Sequence, residues 1–187
     1  MRPFVIPTVV SNEASTKRRE LKIDLTPRLV AYYEVTIIDQ NVKDSAQSGS
    51  APHAPREGEC VAIGLSTKAF NASSKMPGWD KQSYGYHGDD GGLFHGRGGM
   101  IGRNCPTFGP GDTVGCGLDY RMKRVFFVKN GEFLGYAFDK VRPHMVETGL
   151  YPTVGVDTKC PIFANFGEQP FKFDLKAFIA SGLRKQV

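Results

Sequence analysis

Along most of the chain, apolar side chains either alternate with polar ones or fill short unbroken runs. Turn-forming residues separate one run from the next, which is the pattern of strands rather than of helices. Residues 1–28 hold no clear period and predict an extended lead-in packing on the domain, although Leu21, Ile23 and Leu25 alternate with Lys22 and Asp24 as in a half-buried strand. The first strong strand is "LVAYYEVTIID", 29–39, and "ECVAIGLST", 59–67, is an apolar run of the kind a buried strand uses. Between them, "QNVKDSAQSGSAPHAPREG" (40–58) holds small, polar and proline residues that bury too little surface to offset the entropy of ordering them, so a mobile surface loop is expected. Pro77 and Gly78 then break the pattern in "KMPGWDKQ" and put Trp79, the single tryptophan, at a bend.

Further on, "VFFVKNGEFLGYAF" (125–138) carries the strongest local signal. Asn130-Gly131 separates two aromatic-rich runs, and this dipeptide suits the hairpin turn in which both central residues take positive φ. With "DTVGCGLDY" (112–120) before it, a three-strand meander is predicted. "GLYPTVGVDT" (149–158) and "CPIFANFG" (160–167) read as two more strands. Only "DLKAFIASG", 174–182, reads as a helix, with Asp174 to cap it, Leu175, Phe178 and Ile179 on one face, and Gly182 to end it. Many short strands and one terminal helix predict an all-β fold, a sandwich of two antiparallel sheets.

Composition agrees with that class. The 187 residues suit one domain, and 13 Phe, 22 Gly and 12 Pro favour strands and turns over a helical bundle. The net charge of +5 suits an acidic partner. It lacks the dense basic stripe of a nucleic-acid binder: the largest cluster, Lys17, Arg18, Arg19 and Lys22, includes Glu20 and reads as a solvated face. Cys60, Cys105, Cys116 and Cys160 are too widely spaced for a zinc ribbon or a redox pair, so free thiols are expected, with two extracellular disulfides as the alternative. The N-terminus does not resemble a signal peptide, and no run approaches the roughly 18 apolar residues of a membrane span. The expectation is a soluble protein of the cytoplasm, or of the nucleus as well, without membrane or nucleic-acid partners.

One stretch offers chemistry. "SYGYHGDDGGLFHG", 83–96, contains His87, Asp89, Asp90 and His95, nitrogen and oxygen ligands that a divalent transition metal accepts. A metal-dependent hydrolase would need all four to converge on an open pocket. The competing reading is a hairpin, in which Gly88-Asp89-Asp90-Gly91-Gly92 reverses the chain between two aromatic strands. Spacings such as HExxH are absent, so the turn is the preferred reading and no metal or other cofactor is expected. The glycines of 96–102 do not give GxGxxG and no helix pattern follows, which argues against a phosphate cradle. Without GxSxG or a cysteine-histidine pair near in sequence, nucleophilic catalysis has no support either.

Taken together, "YYEVTI", "VAIGLST", "MPGWDKQSYGYHGDDG", "PTFGPGDTVGCGLDY", "VFFVKNGEFLGYAF", "LYPTVGVDT" and "ANFGEQPFKFDL" resemble the SPRY domain, in the version found in Ran-binding-protein-M-like proteins. The resemblance implies a bent, concanavalin-A-like β-sandwich over 29–175, followed by a helix and tail at 176–187. It further implies a non-catalytic module that binds a peptide segment or a folded partner through loops at one end, and an adaptor role in an assembly such as a ubiquitin ligase. Two departures stand out: the 40–58 insertion is long for this branch, and no LisH, CTLH or CRA segment follows, so either an excised domain or a lone SPRY domain is expected. By order along the chain, the implied binding regions are 18–25, 73–79 and 157–159, with Arg18, Arg19, Met76, Trp79, Tyr84, Asp157, Thr158 and Lys159 as candidate residues. The tryptophan that other SPRY subfamilies carry in the last of these turns is missing. Trp79 and Tyr84 have the alternative of packing in the core.

Overall fold

A computed structural model describes residues 30–40, 59–96 and 105–183. The expected lead-in with Arg18 and Arg19, all but the first residue of the 40–58 loop, and most of the glycine-rich connection lie outside the described residues.

Nine strands and two helices follow in chain order: β1 (Val30–Ile37), β2 (Cys60–Ser66), β3 (Ser83–His87), β4 (Leu93–His95), β5 (Thr113–Asp119), β6 (Arg124–Lys129), β7 (Glu132–Phe138), α1 (Pro143–Thr148), β8 (Tyr151–Asp157), β9 (Ile162–Asn165) and α2 (Leu175–Leu183). All strand pairs are antiparallel, in two sheets ordered β7-β6-β5-β1-β9 and β4-β3-β2-β8. The predicted all-β sandwich is therefore the observed architecture. Each strand predicted from residue 29 onward is present within two residues of its expected ends, while the strand-like alternation of Leu21, Ile23 and Leu25 lies outside the described residues.

The β6–β7 turn follows the dipeptide chemistry. Asn130 and Gly131 take φ of 51° and 85°, and the turn is tied down by Asn130 Oδ1 accepting from the Thr113 amide at 2.9 Å. At the other predicted hairpin, the Asp90 carboxylate accepts from the Gly92 amide at 2.7 Å, which closes the reversal between β3 and β4. Asp174 caps α2 by accepting from the Ala177 amide at 2.9 Å, and the helix runs one residue past Gly182. Helix α1 was not expected. Its six residues are too few to show a helical period, and only Pro143 in the first turn marks it in the sequence.

Alternation assigns the side chains to layers. Tyr33, Val35 and Ile37 of β1, Val114, Cys116 and Leu118 of β5, and Val125 and Phe127 of β6 meet Val61, Ile63, Leu65, Tyr84, Tyr86 and Leu93 of the other sheet in one inner core. Each fully buried large apolar side chain there contributes about 1.5–3 kcal/mol. A second cluster lies on the outer face of the five-stranded sheet, where α2 and the segment before it cover Val30, Tyr32, Phe126 and Val128 with Phe173, Leu175 and Ile179. The buried Glu34 carboxylate fastens this cover by accepting from the backbone amides of Lys172 (2.9 Å) and Phe173 (3.0 Å) and from the Tyr32 hydroxyl (2.9 Å). All four cysteines are free thiols, Cys116 buried and the others half-buried, so the alternative of two disulfides does not hold. Among the described residues no helix is long and apolar enough to cross a membrane.

Candidate partner-binding site

On the outer face of the four-stranded sheet, the even-numbered residues of β2 meet the odd-numbered residues of β3 and β8: Ala62 pairs with His87 and Gly155, and Gly64 with Gly85 and Thr153. Here residues 75–80 run across the strands as a strap. A Cβ on Gly155 would lie 2.2 Å from Met76 Sδ, and one on Gly85 would lie 2.0 Å from the Pro77 carbonyl oxygen. The missing side chains therefore let the strap lie flat against the sheet. Polar contacts hold it in place: the Gly78 amide donates to Ser83 Oγ at 2.8 Å, and His87 Nε2 donates to the Pro77 carbonyl at 2.8 Å. Lys75 and Asp80 close the ends with an ion pair at 3.1 Å.

The strap ends by presenting Trp79, 46% exposed, with its ring centroid 6.2 Å from that of His87. His87 is 4% exposed and packs on Phe94 at 4.2 Å. An exposed indole beside a rigid, buried aromatic support is the form of a binding anchor, because little ordering entropy is left to lose when a partner covers it.

Of the residues expected to bind, Met76 and Trp79 thus share one strap, and Met76 rests on β8 two residues before Asp157. Asp157 and Lys159 are exposed at the end of β8. Thr158 has a structural part in that turn: its hydroxyl donates to Glu59 at 3.1 Å and accepts from the Cys160 amide at 3.2 Å. Tyr84 takes the core alternative; it is 2% exposed, faces the inner layer and stacks on His95 at 4.1 Å. Burial raises its pKa, so the hydroxyl stays protonated.

The four-residue metal constellation does not form. His87 lies on the outer face of β3, whereas His95, paired with Tyr84, lies on the inner face with its Nδ1 donating to the Ser83 carbonyl at 2.8 Å. Two residues apart along a strand share a face and three do not, and the hairpin register turns the two imidazoles away from each other. Burial also lowers the His95 pKa below its ordinary value. What converges instead is a trio that sequence spacing did not nominate: the ligand atoms of Cys60, His87 and Asp89 all lie within 4.8 Å of one another. The Cys60 thiol donates to Asp89 Oδ1 at 3.2 Å, and burial followed by that carboxylate pushes its pKa up to about 12. Such a thiol is no nucleophile on its own.

Comparison with known proteins decides the family. The model of the SPRY domain family matches residues 51–169. The chain belongs to the SPRY domain family. Ran-binding protein 9 of Xenopus tropicalis is 42% identical over 153 residues, 80% of this chain and 24% of that protein. The Ran-binding protein M homolog of Arabidopsis thaliana is 34% identical over 163 residues, 84% of this chain and 29% of that protein. These relatives place the SPRY domain in the Ran-binding-protein-M-like branch, and the chain spans between 13% and 29% of the length of the curated relatives it matches. A crystal structure of a human SPRY domain superposes with a TM-score of 0.56 at 26% identity, over 75% of this chain and 78% of that one. The SPRY domain of human HERC1, at 20% identity and a TM-score of 0.55 over 75% of this chain and 77% of that one, shares the fold.

Proposed function

We propose that this SPRY domain is a non-catalytic protein-interaction module that binds an extended peptide segment, or the surface of a folded partner, with Trp79 as anchor and the 157–159 turn alongside. The observation that carries the reading is Trp79: the single tryptophan is held nearly half exposed by a strap that two hydrogen bonds and two close contacts with glycines fasten to the sheet. Charges nearby are mixed, with Lys75 and Lys159 against Asp80, Asp89 and Asp157, which suits a peptide and offers no basic track for a nucleic-acid backbone. Four free thiols fit a reducing compartment, hence a cytoplasmic or nuclear setting. The much greater length of the relatives fits a module that recruits a partner to a larger assembly such as a ubiquitin ligase.

The test uses a partner first recovered with the wild-type chain by affinity capture and then produced pure. Replacing Trp79 with alanine is expected to weaken it by roughly 30-fold, the scale of a 2 kcal/mol hot spot, while Lys159→Ala and Arg19→Ala lower affinity less. Circular dichroism of each variant confirms folding. Unchanged affinity in all three folded variants would reject the surface.

A further inference from the structure

The pairing of β2 with β3 sets Ala62 opposite His87, so Cys60, two residues earlier on the same face of β2, stands beside the turn that carries Asp89. The Gly88 amide donates to the Val61 carbonyl at 2.9 Å and its own carbonyl accepts from the Phe108 amide at 2.9 Å, which fixes the backbone between His87 and Asp89. Thiol, imidazole and carboxylate ligand atoms come within 4.8 Å of one another, with Cys60 Sγ and Asp89 Oδ1 at 3.2 Å. Bonds of about 2.0–2.3 Å in tetrahedral arrangement set donors roughly 3.3–3.8 Å apart, so small side-chain adjustments suffice to close them around one ion.

The His87 ring has one nitrogen to offer a metal. A carbonyl can only accept, so the bond from Nε2 to the Pro77 oxygen places the ring proton on Nε2 and leaves the Nδ1 lone pair free. Metal-ligating histidines are oriented by an outer hydrogen bond of this kind. Phe94 and Trp79 pack around the ring, and Asp89 is exposed to solvent.

We propose that Cys60, His87 and Asp89 form a binding site for a thiophilic divalent transition ion of the zinc class, with water as fourth ligand. Sulfur and nitrogen donors select zinc or cobalt over magnesium or calcium, which take oxygen sets. Binding of the ion displaces the Cys60 thiol proton to water, and thiolate and carboxylate together then balance its charge. The site uses two of the residues of the hairpin motif and a cysteine from the neighbouring strand, and it stands independently of the peptide-binding reading.

Cobalt(II) chloride added to the chelator-treated full chain is the probe. One equivalent is expected to produce a thiolate-to-cobalt charge-transfer absorption, lost in Cys60→Ser and kept in Cys105→Ser and Cys160→Ser. Asp89→Asn, a change at an exposed turn position, is expected to weaken cobalt binding by at least about tenfold, and zinc(II) chloride is expected to displace the cobalt signal. Absence of the thiolate band, its survival in Cys60→Ser, or its loss with Cys105 or Cys160 instead would overturn the site. Should Cys60→Ser fail to fold, Asp89→Asn decides, and unchanged affinity there overturns it equally.

Discussion

The hydroxyl of Tyr33 crosses the inner core from β1 and donates to the Gly64 carbonyl of β2 at 2.6 Å, while the Gly64 and Thr153 amides approach it at 3.2 and 3.3 Å. Burial raises its pKa well above 10, so it remains a donor across the usable pH range. Tyr33→Phe leaves the ring in place but strands buried backbone groups, and a loss of about 1–3 kcal/mol in urea-derived stability is expected. His95 responds to acid. Its folded pKa lies below the ordinary 6.5, so the unfolded chain takes up the proton first as pH falls. Stability from this group is complete above 6.5 and declines as pH drops through the folded value. The urea midpoint is expected to fall on acidification from neutrality, and to fall less in His95→Phe, whose ring keeps the stack on Tyr84. The residue types for both effects are visible in the sequence. Their partners are not, because Gly64 and Thr153 reach Tyr33 only once β2 and β8 have paired.

Among the elements, the strap and the sheet beneath it depend on each other through the absence of side chains. A methyl on Gly85 meets the backbone of Pro77, which cannot swing aside as the Met76 side chain can from Gly155. Gly85→Ala is therefore expected to cost about 1–3 kcal/mol and to shift the emission maximum of Trp79, the single tryptophan, with Gly155→Ala giving the smaller change on both measures. The strands themselves were legible from alternation, and the β6–β7 turn from Asn130-Gly131, because both are local properties. The strap was legible only as a break at Pro77-Gly78. That it lies on a sheet follows from which residues of β3 and β8 face outward in register, and short-range pattern does not encode register between strands that are far apart in sequence.

At the scale of the molecule two apolar layers share the five-stranded sheet, one inside the sandwich and one beneath α2, and Glu34 is the fastening of the outer one. Glu34→Gln replaces one of the two acceptor oxygens by a donor, so one of the two backbone amides loses its acceptor and faces an N–H instead. A loss of about 1–3 kcal/mol is expected, with faster hydrogen exchange concentrated in residues 166–183 while the inner strands stay protected. The sandwich class was open to sequence reasoning because strand count and spacing suffice for it. The outer layer was not, since Glu34 and Phe173 stand 139 positions apart and carry no mark of each other.

The strand order has a consequence for synthesis. β1 takes its neighbours from β5 and β9, so Val35 awaits Val114 on one side and Ala164 on the other. The first of the described strands, this aromatic segment emerges from the ribosome with one edge bare until β5 follows about 80 residues later and the other bare until β9 follows about 130 residues later. The nascent chain thus needs shielding along "VAYYEVTI", and stalled translation before β9 leaves a sticky fragment rather than a smaller domain.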